Sequence, residues 1–245
     1  MEKTKRVKVK IFTYIVIIVA IVVVGNWLYK ERKVHFADDK MRQVICLELG
    51  KDKDSNDVTY RDLEKIEELQ IGLVGTFETI EDVAKCKNLK SLSVNVLIQQ
   101  GEPSFELYET TEKGERYYPP LSEEKMERMQ KDLERILKSA RKIEEFDFAN
   151  VNDSFNISDM EFLKYGKNIK SIDIAYANIE DYSVLENCSK LESVDLWYSN
   201  IESADTLLKL KNVNRLILTG TPLAQNEKEI AKLKKAFPDA WIITE

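Results

Sequence analysis

Ile169-Lys-Ser-Ile172-Asp-Ile174 recurs 22 residues later as Leu191-Glu-Ser-Val194-Asp-Leu196, and 22 later again as Val213-Asn-Arg-Leu216-Ile-Leu218. The intervals match as well, since Asn178-Ile179-Glu-Asp is answered by Asn200-Ile201-Glu-Ser. Upstream, Ile66-Glu-Glu-Leu69-Gln-Ile71 and Leu89-Lys-Ser-Leu92-Ser-Val94 stand 23 apart, and Ile143-Glu-Glu-Phe146-Asp-Phe148 is a sixth copy of apolar-x-x-apolar-x-apolar. The last two apolar residues of each copy are two apart, so both point to one side of a short strand. Each unit then carries a second apolar patch, such as Tyr182, Val184 and Leu185, or Ala204, Leu207 and Leu208. One unit cannot bury that patch alone. Stacked units give a continuous core with a parallel sheet along one side.

These copies resemble the 22-residue leucine-rich repeats of bacterial surface proteins of the internalin type. Before them, Phe36, Met41, Val44, Ile45 and Leu49 fall at helical spacing. Thr59, with Asp62 three later, opens a second short helix through a variant capping box. This helix–loop–helix is similar to the family's N-terminal cap. After the repeats, a helix from Asn226 to Lys235 and a strand within Ala236–Ile243 look like a closing unit. The resemblance covers about residues 36–94 and 143–245. It implies an α/β fold, a leucine-rich repeat solenoid with a parallel concave sheet and a helical N-terminal cap; to this the rest of the sequence adds one inserted long helix and an N-terminal transmembrane helix. It does not imply one function, because this repeat carries many. The family often places Asn three residues after the last apolar strand position. Here Ala177, Ser199 and Thr221 stand there, with Asn178 and Asn200 one residue later. A less regular polar ladder is therefore expected, with Thr221 able to bond backbone and Ala177 not, and an irregularity around Val151.

Residues Ile11 to Leu28 carry no charge, and 18 residues of helix span about 27 Å, close to the hydrocarbon thickness of a bilayer. Trp27 and Tyr29 lie at one end, where amphipathic rings favour the interface. Five basic residues precede the run and three closely follow it, so the N-terminus is expected in the cytoplasm and the rest outside. The competing readings are a cleaved secretory signal, although no A-x-A site and no lipid-accepting Cys follows, and a buried core helix. The expected organisation is a basic tail and anchor over 1–33, a cap over 34–65, and a repeat domain over 66–245 with an insertion at about 95–141.

The formal net charge is −6, yet residues 1–33 hold eight Lys or Arg against two Glu, which leaves −12 for the remainder. An acidic body repels phosphate, which argues against nucleic acid as a partner. The single histidine, His35, abuts the apolar run. That removes Ser–His–Asp and Cys–His catalysis and His-rich metal sites from the main body, and no cofactor is expected. Cys86 and Cys188 occupy the same repeat position, held elsewhere by Ala140, Gly166 and Leu210, which marks a core site for small or apolar groups. Neither these two nor Cys46 has metal or redox spacing, and three repeats separate the first two beyond disulfide reach.

The second and third copies start 54 residues apart, at Leu89 and Ile143. Phe105-Glu-Leu-Tyr108 and Arg116-Tyr117-Tyr118 could form a small hairpin, and Ser122 caps a helix running to about Arg141. Met126, Met129, Leu133, Ile136, Leu137 and Ala140 recur at three and four along it, so one stripe packs inward. The whole reads as one oversized repeat. Its hairpin is either a partner-binding arm or a tolerated surface insertion.

In-register stacking places Gln70, Ser93, Asp147, Asp173, Asp195 and Ile217 in one column of the exposed sheet face, with the three aspartates roughly 5 Å apart. The next column reads Gly72, Asn95, Ala149, Ala175, Trp197 and Thr219, with Tyr176 and Tyr198 beside it. A carboxylate row next to Tyr176, Trp197 and Tyr198 suits a basic protein or peptide. Equally, Asp is frequent between strand leucines without any ligand, and the aromatics could simply cover the sheet. The expected function is that of a membrane-anchored extracytoplasmic binding protein that is not an enzyme. The alternatives are a structural cell-envelope protein binding wall polymer, or a carboxylate-dependent hydrolase using Asp147 and Asp173.

Overall fold

The computed structural model describes residues 2–94, 109–110, 116–117, 121–149 and 158–245. Strands β1 (Glu68–Ile71) and β2 (Ser91–Val94) precede a short hairpin, β3 (Glu109–Thr110) and β4 (Arg116–Tyr117). Then follow β5 (Glu145–Ala149), β6 (Ser171–Ala175), β7 (Ser193–Asp195), β8 (Arg215–Ile217) and β9 (Trp241–Ile243). All but the hairpin form one seven-stranded sheet in the order β1-β2-β5-β6-β7-β8-β9, and every neighbouring pair is parallel. Leu69, Leu92, Phe146, Ile172, Val194 and Leu216 fall on one line of the register. All six are buried. This is the register that aligning the six apolar-x-x-apolar-x-apolar copies predicts. A one-residue slip would turn each of these side chains to solvent.

Strands β1, β5, β6 and β7 return through tight turns of 3-10 helix rather than a long helix, because a unit of about 22 residues leaves few residues for the way back. The turns at Glu81–Lys85, Glu161–Tyr165, Tyr182–Asn187 and Leu207–Lys209 bury Val83, Phe162, Leu185 and Leu207 respectively. Asp181 opens the third of these, accepting from the Ser183 N–H at 2.8 Å.

Helix α1 covers Glu2–Lys30, α2 Asp39–Glu48 and α3 Tyr60–Leu63. The capping box read from Thr59 and Asp62 is present in both directions. Helix α4 (Glu123–Ser139) begins at Ser122, whose hydroxyl accepts from the Lys125 N–H at 3.3 Å. Its last residue, Ser139, is two before the expected Arg141, and Ala140 is the cap from which the backbone turns toward β5. Met129, Leu133, Ile136 and Leu137 are buried on it, and it packs between the return turns at Glu81–Lys85 and Glu161–Tyr165. It is thus the return limb of an oversized unit. The hairpin lies slightly later than expected, pairing Glu109 with Tyr117 and Thr110 with Arg116. Phe105–Tyr108, Tyr118, Asn95 and the region around Val151 fall outside the described residues. Helix α5 (Glu227–Ala236) is capped by Asn226.

Three buried carboxylates tie these parts together. Asp38 caps α2 through the Met41 N–H at 2.9 Å and also accepts from the Glu78 N–H at 2.6 Å. Asp82, fully buried, accepts from the backbone N–H groups of Ala37 and Asp38 at 2.8 and 3.1 Å and pairs with Lys85 at 2.5 Å. Asp132 on α4 accepts from the Thr79 hydroxyl at 2.6 Å and the Ile80 N–H at 3.0 Å. Each satisfies backbone donors that would otherwise be buried without partners.

Candidate functional site

The open sheet face brings the expected column together. Gln70, Ser93, Asp147, Asp173, Asp195 and Ile217 are direct register partners, and β9 adds Ile243. Ser93 donates from its hydroxyl to Asp147 at 2.8 Å, and the Trp197 N–H donates to Asp195 at 3.0 Å. Asp173 stands between them with a carboxylate on each side, and its Oδ1 is buried with no hydrogen-bond donor. Burial first, then the neighbouring Asp195 and Asp147 charges, push its pKa up to about 7, with Arg215 opposing. Asp147 is raised by burial and by Glu145 against the Ser93 hydrogen bond. Asp195 is raised by burial and by Asp147, against the Trp197 N–H and Arg215. Like charges on adjacent rungs cannot all ionise freely in a half-dry setting.

The backbone explains how the aromatic residues reach this face. Tyr176 and Tyr198 end their strands with φ of 57° and 54°, the left-handed region, and the equivalent Gly220 has φ of 73°. A bulky residue there costs on the order of 1 kcal/mol or more. The turn aims both rings outward. They stack on each other at 5.2 Å with planes 4° apart, and Trp197 lies tilted against both, at 5.5 Å from Tyr176 and 5.2 Å from Tyr198. Tyr176, Trp197 and Tyr198 are 46, 42 and 50% exposed, whereas Phe77, Phe146, Phe148 and Phe162 are buried. Gly220 completes the stack, because a Cβ there would sit 2.4 Å from Cδ1 of the Tyr198 ring.

Two residues of this face are missing from the sequence-based column. Arg215 donates to the Ser193 hydroxyl at 3.3 Å and lies over the Trp241 ring at 5.8 Å. Trp241, 65% exposed, pairs in register with Arg215. In the closing strand Asp239 and Thr244 stand where Val213 and Leu218 do, so a search for the apolar-x-x-apolar-x-apolar pattern passes over it. The alternation Trp241-Ile-Ile243 was the available signal.

The polar ladder differs from expectation in detail. Asn200, one residue late, bridges the neighbouring turns. Its amide donates to Asn178 at 2.6 Å and to the Ile179 carbonyl at 3.1 Å, while its oxygen accepts from the Ile179 N–H at 3.0 Å and the Tyr182 hydroxyl at 2.7 Å. Thr221 bonds backbone as anticipated, donating to the Leu218 carbonyl at 2.7 Å and accepting from the Ala224 N–H at 3.1 Å. All three cysteines are buried free thiols. Burial pushes Cys86 and Cys188 up to about 12, which keeps them protonated and unreactive. At the equivalent Gly166 a Cβ would meet Ile169 at 2.5 Å. Among the described residues no cluster of His, Cys, Asp or Glu has a metal-binding arrangement.

Six copies of one apolar pattern, stacked in register as parallel rungs with short return turns, decide the architecture. The fold is a leucine-rich-repeat solenoid. No protein-family model matches the sequence, and neither does any curated protein. Solved structures similar to the solenoid include an internalin from Listeria monocytogenes at 15% identity, covering 85% of this chain and 63% of that one, with a TM-score of 0.42. Internalin C2 from the same species gives 18%, 85%, 93% and 0.40. A leucine-rich-repeat protein from Leptospira interrogans gives 17%, 67%, 51% and 0.37. The chain thus spans less than two thirds of the first of these. The fold itself rests on the strand order and register of this chain.

Proposed function

We propose that the chain is a single-pass, membrane-anchored binding protein whose solenoid, on the extracytoplasmic side, captures a basic protein or peptide through Asp147, Asp173, Asp195, Tyr176, Trp197 and Tyr198. The observation that carries this reading is the exposed three-ring cluster beside a column of under-paired carboxylates. Two of those rings are held in a backbone region that disfavours them. Backbone strain retained at an exposed surface is a reason to look for a ligand. Exposed aromatics give contact area, and carboxylates give attraction and orientation to a cationic partner.

The anchor is supported by α1. Its stretch Phe12–Lys30 is long and apolar enough to cross a membrane, and none of it is buried against the rest of the chain. An isolated helix apolar on every side fits lipid better than water. Tyr29, Lys30 and Glu31 also bond to the cap, which favours an anchor kept in place over a signal that is removed.

Peptide arrays with graded Lys and Arg content test the assignment on the full chain in detergent. Binding of basic peptides is expected to fall about 30-fold, roughly 2 kcal/mol, in Asp173→Asn or Trp197→Ala. Trp197→Ala should melt close to the parent chain, so its loss of binding is not a loss of fold. Retention on purified wall polymer with no peptide binding would replace this reading by the structural one.

A further inference from the structure

Residues between α1 and the cap form part of the folded domain rather than a tether. Tyr29, in the last turn of α1, stacks on Tyr60 of α3 at 4.8 Å. Lys30 pairs with Glu64 at 2.8 Å, Glu31 with Arg61 at 2.6 Å, and Lys33 with Asp57. Lys33 and Thr59 form an antiparallel bridge, with the Tyr60 N–H donating to the Arg32 carbonyl at 3.2 Å and the Val34 N–H to the Val58 carbonyl at 2.8 Å. Val34 and Phe36 already pack against the hydrophobic core. Only residues 31–33 lie between the helix end and a core side chain, and each of these is bonded to the cap. The Lys85 ammonium then holds the His35 carbonyl at 2.6 Å, and Asp82 holds Ala37 and Asp38.

Depth follows from this junction. Tyr29 is one residue, about 1.5 Å along the helix axis, from the end of α1, so a ring stacked on it sits at nearly the same level. With α1 in a bilayer, Trp27 and Tyr29 occupy the headgroup zone, where amphipathic rings are favoured, and Tyr60 is brought there from the cap. We infer that the solenoid has no stalk: its cap, around Tyr60, Glu64 and Lys65, is seated against the lipid headgroups at the C-terminal end of α1. Lys30, Arg61 and Lys33 are paired with Glu64, Glu31 and Asp57, which leaves Arg32 as the one junction cation without an ion pair among the described residues, so the seating comes chiefly from the rigid connection and not from attraction to anionic lipid. This inference rests on the anchor reading.

The test uses the full chain in liposomes carrying a headgroup-attached quencher, with a fluorophore at Lys65→Cys; the three native thiols are buried and stay unlabelled. Strong quenching is expected, unchanged by salt and by the fraction of anionic lipid. Inserting fifteen Gly and Ser residues after Glu31 should reduce it several-fold. In the chain without the insertion, label anisotropy should show no component at the tumbling rate of a free domain, which is a readout that does not depend on the inserted variant folding. Weak quenching, quenching that survives the insertion, quenching lost in salt, or a fast tumbling component each overturns the inference while leaving the anchor intact. Failure of the chain to float with liposomes removes the anchor reading, and this one with it.

Discussion

Position 220 shows how closely one residue type is fixed by its neighbours. Tyr176, Tyr198 and Gly220 are equivalent, and all three have positive φ, yet only the last is glycine. Gly220 is covered by the Tyr198 ring, so a methyl there meets both backbone strain and an aromatic wall. Gly220→Ala is expected to cost about 1–2 kcal/mol and to push the Tyr198 ring off the stack. Chemical denaturation measures the first effect and near-ultraviolet circular dichroism the second. Unchanged aromatic ellipticity would show that the stack does not depend on this glycine. The tyrosines were visible in the sequence as neighbours of the strand, but their left-handed backbone was not. Nothing in Ala-Tyr-Ala or Trp-Tyr-Ser marks that conformation, which glycine or asparagine usually signals. The role of Asn200 was hidden for a related reason: a residue one place late can still reach the neighbouring turn, and sequence spacing does not record reach.

Among the elements, α4 most clearly departs from the repeat. Its amphipathic stripe and its Ser122 cap were legible, because helical period and capping chemistry are local. Its attachment was not, because Asp132 reads as one more surface acid on a charged helix. In the fold it is buried, raised in pKa chiefly by that burial, and bonded to Thr79 and Ile80 of a preceding unit. Asp132→Ala leaves a buried backbone donor unpaired and should destabilise by roughly 1–3 kcal/mol. Hydrogen exchange of α4 and of residues 76–80 should rise together. An increase confined to α4 would mean that the carboxylate serves the helix alone. The strands were the easiest elements to foresee, since six copies of a short pattern fix both the period and the buried side.

Across the whole molecule, the aspartate column makes stability depend on pH. Asp173 sits near 7 when folded and near its ordinary value of 3.8 when unfolded, so the native state holds a proton that the unfolded chain releases over that interval. Its contribution is fully present below about pH 4 and is lost as pH rises through about 7, on the order of 2 kcal/mol. The full chain in detergent is therefore expected to melt higher at pH 5 than at pH 8, and Asp173→Asn should raise the melting temperature at pH 8 and flatten the profile. A profile unaltered by the substitution would assign the pH dependence to other groups. Capture of a basic peptide should run the opposite way, strengthening above pH 7 as the carboxylate ionises. Gln70 through Ile217 could be placed on one line from the recurring strand pattern, whereas the depth of Asp173 could not, because burial depends on the side chains of three rungs at once.

The short junction at residues 31–33 also bears on mechanics. With α1 seated in a bilayer as proposed, a load applied to anything gripped by the sheet would pass through Lys33, Thr59 and the Tyr29–Tyr60 contact straight into the lipid, with no slack chain to unspool first. The bond that yields under tension should then be either the grip itself or the helix leaving the bilayer.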